Sequence, residues 1–208
     1  MGTDIEALSI NANWYGVNRD VAEKMIQLEN EKLAELVAQD PQRFGRSLRW
    51  LSSFRTWPLT SSKKPSRSTI RWALPSAARV NSDELSNPKF DPFWKKAKER
   101  GCLVFTHPQG GKGGRTKVIG NPLETTNFLS HLIFDRTLDR FPGLTICAAH
   151  VGGYLLPGAS DNGCNRFPEG SKIKKHPTEY SRQIYVDSMY SLLRDCATSW
   201  PSAVSVRS

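Results

Sequence analysis

The chain has 208 residues, 38% of them hydrophobic, and a formal net charge of +9 at pH 7. That is enough apolar sequence for a folded core, and no apolar run is long enough to span a membrane. The positive balance raises nucleic acid as a partner, but it is local. Arg46, Arg49, Arg55, Lys63, Lys64, Arg67, Arg71 and Arg79 supply eight charges between residues 46 and 79 with no acid, leaving +1 for everything else.

In chain order, Asn18 or Asp20 is placed to cap a helix over residues 21–39. Met25, Leu28, Leu33, Leu36 and Val37 fall on or near one face of it. The basic stretch follows. It holds eleven Ser/Thr and three of the six Trp, and Pro58, Pro65 and Pro75 interrupt it, so no regular structure is expected there. Three readings fit it: an aromatic-interleaved arm for single-stranded nucleic acid, a solvated insert, or a disturbed reading frame. The third explains most. Codons for residues 45–69, read from their third base, can encode an apolar strand, a turn and an acidic amphipathic helix. An α/β barrel needs those elements after a helix ending near Phe44. Residues 190–202 in the same shifted frame give a helix start. The expected organisation is therefore an N-terminal barrel part at 1–45 lacking its first strand, and a frameshifted basic segment at 46–79. Central strand–helix units at 80–189 and an aberrant tail at 190–208 complete it.

Asp91-Pro92 opens a further helix through Lys98, stopped at Gly101. Residues 101–106 form an apolar strand-like run that ends at His107. Gly110-Gly111-Lys112-Gly113-Gly114 lacks the phosphate-loop pattern and reads as a strand-to-helix loop. Asn121 as N-cap, Pro122 in the first turn and Glu124 three residues on then announce a helix. Leu129, Leu132, Ile133, Phe134 and Leu138 repeat at helical spacing. Phe141-Pro142-Gly143 turns the chain into a second apolar run, which ends at His150 before Val151-Gly152-Gly153.

This is a strand–helix–strand unit with an imidazole at the exit of each strand. Continuous apolar strands suit a parallel sheet covered on both faces. In barrels of that kind, strand ends carry the catalytic residues. One strand-end histidine is more often a packing or capping residue. Two at equivalent positions favour function, because imidazole both ligates metals and transfers protons near neutral pH. His131, mid-helix, reads as structural and His176 as a solvated loop residue. Cys102, Cys147, Cys164 and Cys196 show no close pairing. With no signal peptide evident, this suits buried thiols in a cytoplasmic protein.

Several stretches together resemble one family. They are Ala7 to Asn11, Leu85 to Trp94, His107 to Gly110, Asn121 to Thr126, Phe141 to Leu144, Ala149 to Tyr154 and Ile184 to Met189. The chain is similar to the amidohydrolase-related family, in the branch of aminocarboxymuconate-semialdehyde decarboxylase and its relatives. The resemblance implies an α/β fold, a partial (β/α)8 TIM barrel of the metal-dependent hydrolase type. It implies a lyase or hydrolase using one divalent metal, zinc first and manganese second, on a small unsaturated or aromatic carboxylic acid. It places His107 as a metal ligand and His150 as the proton-handling catalytic residue. The family's other ligands are a His-x-His pair on the first strand and an Asp on the last. No His-x-His occurs in this sequence, and the chain enters the family pattern past the first strand and stops before the last. A catalytic zinc takes about three protein ligands plus an open position. About 250 residues is usual for such a barrel. The expectation is thus an inactive fragment that does not itself hold the metal. No nucleic-acid or membrane partner is expected, and homo-oligomers are expected only among intact relatives.

Overall fold

A computed structural model describes residues 6–8, 18–41, 43–49, 72–74, 79–80, 83–107, 116–155 and 172–187. Its main sheet has six parallel strands in chain order: β1 (Glu6–Leu8), β2 (Phe44–Arg49), β3 (Trp72–Leu74), β6 (Leu103–Thr106), β7 (Thr145–Ala148) and β8 (Ile184–Val186). Two short strands, β4 (Arg79–Val80) and β5 (Asp83–Glu84), pair antiparallel in a separate two-stranded sheet. Sequential parallel order with intervening helices is the pattern of a (β/α)8 barrel, and this is part of one.

The first helix, α1 (Arg19–Gln39), starts where the sequence places it. The Asn18 side chain accepts a hydrogen bond from the Asp20 amide at 2.9 Å. Its buried face differs from the expected one. Ala22, Ile26, Glu29 and Leu33 are buried, whereas Leu28 is 56% and Leu36 46% exposed. Apolar residues cover well over half of this helix's circumference, so the neighbouring strands select which stripe is buried, and α1 is packed chiefly against β2.

The basic segment requires a correction. Its described residues are not without regular structure: β2 runs to Arg49, and β3 lies between β2 and β6. Strand formation depends on the partners on either side more than on local period, and both short stretches have parallel neighbours. Residues 50–71 and 190–208, with Cys164 and Cys196, lie outside the described residues.

From residue 83 onward the described elements follow the sequence reading except at the two ends of the helix Asn121–Phe134, and residues 110–114 lie outside the described residues. Helix α2 (Asp91–Glu99) carries Pro92 in its first turn and buries Phe93, Trp94 and Ala97. Trp94 is fully buried, and its indole N–H donates to the Leu85 carbonyl at 2.8 Å. Helix α3 (Asn121–Phe134) buries Phe128, Leu129, Leu132 and Ile133. After it, Arg136 takes a left-handed turn into the short α4 (Thr137–Arg140). These residues pack on Val104, Ile146, Ala148, Ile184 and Val186, which share one face of β6, β7 and β8. Phe105, Cys147 and Tyr185 lie on the opposite face by the alternation of strand side chains. Arg140 ties the unit together, donating to the Ser86 carbonyl at 2.8 Å and to Asp91 Oδ1 at 3.1 Å.

The start of α3 is the second correction. Asn121 is not its cap. A π-helical turn, Thr116–Gly120, runs directly into it, and Gly120 is already helical at φ −63°, ψ −46°. A capping side chain serves a chain arriving in extended conformation, and here the chain arrives coiled. Asn121 Oδ1 is instead buried without a hydrogen-bond partner among the described residues. Among the described residues, no helix is long and apolar enough to cross a membrane.

Candidate active site

The register of the three central strands sets out the site. Thr106 pairs with Ala148, and Ala148 with Val186. The ladder continues one step further, with the Ala149 amide donating to Thr106 O and the Asp187 amide to Ala148 O, each at 3.1 Å. His107, His150 and Asp187 therefore stand together at the C-terminal ends of β6, β7 and β8. The structure brings both predicted histidines to one place: their ring centroids are 5.1 Å apart, at 53°. His107 is exposed, and its ring also lies 6.4 Å from that of Phe105. His150 is 2% exposed.

His150 begins a run of unusual backbone. His150 and Val151 both have φ of 58°, followed by Gly152 at 77° and Gly153 at 70°. Left-handed conformation is uncommon for histidine and an outlier for a β-branched valine. It costs about 1–3 kcal/mol per residue and persists only where surroundings enforce it, chiefly at functional sites. The enforcing contacts are specific. Asp187 Oδ1 accepts from the Val151 amide at 2.9 Å. Thr125, buried on α3, places its hydroxyl 3.2 Å from His150 Nδ1. The Tyr154 amide donates to Thr126 Oγ1 at 2.7 Å, and Thr126 in turn donates to the Pro122 carbonyl at 2.8 Å. Gly153 is required both by its φ and by the close approach of α3: a Cβ there would collide with Pro122 O and Thr126 Oγ1.

Burial pushes the His150 imidazole below its ordinary range, since a charged ring is poorly solvated there. The neighbouring His107 adds to this, and the Asp187 carboxylate opposes it. The Cys147 thiol is pushed up to about 12, by burial first and then by Asp187. It is therefore a packed thiol, not a nucleophile, at neutral pH. Cys102 is likewise buried and free. His131 and His176 lie elsewhere. His131 is hydrogen-bonded to Asp135 at 2.8 Å, and His176 is exposed at the start of a 3-10 turn.

Asp187 and Thr125 were not singled out by the sequence reading. Asp187 carried the same signal as the histidines, an apolar strand ending in a titratable residue. Thr125 carried none, because its contact spans 25 residues of chain. For a resident divalent ion the donor set is decisive. Among the described residues, no group of three His, Cys, Asp or Glu side chains could hold a metal ion. Asp187 Oδ1 already serves Val151. These residues do not by themselves make a metal centre.

Residues 69–189 match the family described as Amidohydrolase. The chain belongs to that family. This amidohydrolase-family chain is 28% identical over 206 residues to 2-amino-3-carboxymuconate-6-semialdehyde decarboxylase of Dictyostelium discoideum, covering 89% of this chain and 55% of that protein. It is 27% identical over 162 residues to 6-methylsalicylic acid decarboxylase of Penicillium expansum, covering 71% and 49%. The chain spans about half the length of the curated relatives it matches. Among solved structures it resembles the 5-carboxyvanillate decarboxylase of Novosphingobium aromaticivorans, crystallised with manganese and 3-methoxy-4-hydroxy-5-nitrobenzoic acid. There the TM-score is 0.81 at 16% identity, covering 98% of this chain and 66% of that one. That likeness shows the barrel fold.

Proposed function

We propose that this site serves a carboxy-lyase acting on a small planar carboxylic acid, aromatic or conjugated. The observation that carries the reading is the pair of imidazoles at the ends of β6 and β7, one exposed and one buried, 5.1 Å apart. The relatives named above are decarboxylases of acids of this class, which supports it. In decarboxylation the bond from carbon to carboxylate breaks, carbon dioxide leaves, and the electron pair stays on carbon until a proton arrives. His150 is the group suited to deliver that proton. Its charged form is disfavoured by burial, so once protonated it is a ready acid. Thr125 lies against its ring, and Asp187 holds the next amide, that of Val151.

His107 is the proposed donor to a divalent ion, manganese or zinc, which when bound would stabilise negative charge developing on the substrate. The remaining donors are not among the described residues. Turnover is proposed for a chain that carries them.

The test combines metal binding with carbon dioxide release. In a chain that carries the remaining donors, manganese should be retained stoichiometrically after equilibrium dialysis. His107→Ala should abolish that retention. In a form with turnover on 6-methylsalicylate or 5-carboxyvanillate, His150→Gln should keep the metal and lose carbon dioxide release. Full activity in both variants would sink the proposal.

A further inference from the structure

Thr125 and Thr126 are consecutive residues on one helix, yet they use their hydroxyls differently. Thr126 follows the usual habit of a helical threonine and bonds the carbonyl four residues back, Pro122 O, at 2.8 Å. Thr125 turns its hydroxyl outward from α3 to the ring of His150, 3.2 Å from Nδ1, with both residues 2% exposed. His150 needs such a partner. Its left-handed backbone takes it out of the strand's pleat, so the strand no longer fixes where the ring points. Asp187 secures only the next amide, that of Val151.

We propose that Thr125 is the positioning residue of His150: its hydroxyl fixes the orientation and tautomer of the imidazole. Which ring nitrogen carries the proton is set by the hydrogen bond the other makes. A hydroxyl can donate or accept, but Thr125 makes no other hydrogen bond among the described residues. Its buried hydrogen is therefore satisfied only by donating to Nδ1, which puts the imidazole proton on Nε2. The inference rests on the reading of His150 as the proton-handling group. It names what keeps that group in one form between turnovers. Buried polar contacts of this kind are worth keeping because a neutral imidazole has two tautomers and a loosely held ring has several orientations.

The experiment is long-range proton–nitrogen NMR on the full chain labelled at histidine, at a pH about two units above the ordinary imidazole value of about 6.5. Wild type should show His150 in one dominant tautomer. Thr125→Ser should keep it, because the hydroxyl remains. Thr125→Val has the same shape without the hydroxyl. It should shift the tautomer ratio by roughly two- to twelvefold, the equivalent of a hydrogen bond worth about 0.5–1.5 kcal/mol. The amide signals of residues 145–148 should stay in place and report an intact fold. Wild-type ring-nitrogen shifts in the folded Val variant would overturn the proposal. An even tautomer mixture in the wild type would overturn it without any variant. Neither outcome bears on whether His150 is catalytic, which the His150→Gln assay decides separately.

Discussion

The stretch from Leu85 to Asp187 and the helix α1 are held by different means. The main hydrophobic cluster draws on α2, α3, α4 and strands β6 to β8, and α1 contributes no residue to it. Helix α1 buries Ala22, Ile26 and Leu33 outside that cluster and packs chiefly against β2. Its surface carries the Asn18 cap, a Gln27–Glu31 side-chain bond and a Lys32–Glu35 pair whose side chains are both 61% exposed. Exposed pairs of that kind are worth little. The site sits wholly on the first region. Strained backbone at His150 and Val151 persists only where the surroundings over-determine it, and Val151 packs against the main cluster, away from the longest helix.

The comparison predicts a large difference in sensitivity. Trp94→Ala empties a fully buried site, removes an edge-on contact with Phe93 and orphans the Leu85 carbonyl. It should cost about 3–5 kcal/mol. Leu28→Ala, half-exposed on α1, should stay within about 0.5 kcal/mol. Urea unfolding of the two variants measures both, and equal losses would break the contrast.

Gly153→Ala tests whether α3 really clamps the turn after His150. The new methyl meets Pro122 O and Thr126 Oγ1 at a φ of 70°. Overpacking alone costs about 1–3 kcal/mol, and the positive φ adds to it. The expected outcome is a loss of about 2–4 kcal/mol, together with shifted His150 ring signals. A variant as stable as wild type would mean that the clamp does not exist.

Asp187→Ala comes next in size. It removes the acceptor for the Val151 amide, and an unsatisfied donor there costs about 1–3 kcal/mol. Asp187→Asn offers the same position an amide oxygen and should recover most of that stability. Both variants lack the carboxylate, so in both the His150 imidazole should titrate lower than in wild type, as followed by NMR. Recovery of stability without that downward shift would deny Asp187 its electrostatic part.

What the sequence revealed follows that division only in part. In the central unit, apolar runs, a turn at Phe141-Pro142-Gly143 and titratable strand ends all agreed, and tertiary packing had no reason to overrule them. At other positions, the start of α3 in that same unit among them, local signals were overruled. Leu28 and Leu36 looked like core and are exposed, while Glu29 is buried. Asn121 had the residues of a cap but not the extended backbone a cap needs. The described residues of the proline-broken basic segment nevertheless contribute to three strands, because β1, β5, β6 and one another supply the pairing. Thr125 was invisible because a serine or threonine mid-helix declares no partner until the neighbouring strand is in place.

The smallest expected effect is the dependence of stability on pH through His150. Its folded-state pKa lies below the ordinary value of about 6.5, chiefly through burial and secondarily through His107. Between the two values the unfolded chain binds more protons than the folded one, so stability rises with pH across that window. The contribution is fully present above about pH 6.5 and is lost as pH falls through the folded value. Urea unfolding in chelator from pH 8 to pH 5 should therefore show declining stability on the acid side. His150→Gln should remove that component while leaving the carboxylate-driven loss at lower pH. The slope belongs to the well-packed region alone, since α1 holds no histidine. If the acid-side decline were identical in wild type and His150→Gln, the ring would be as solvated in the folded chain as in the unfolded one. The buried, readily proton-donating imidazole on which the proposed chemistry depends would then have to be given up.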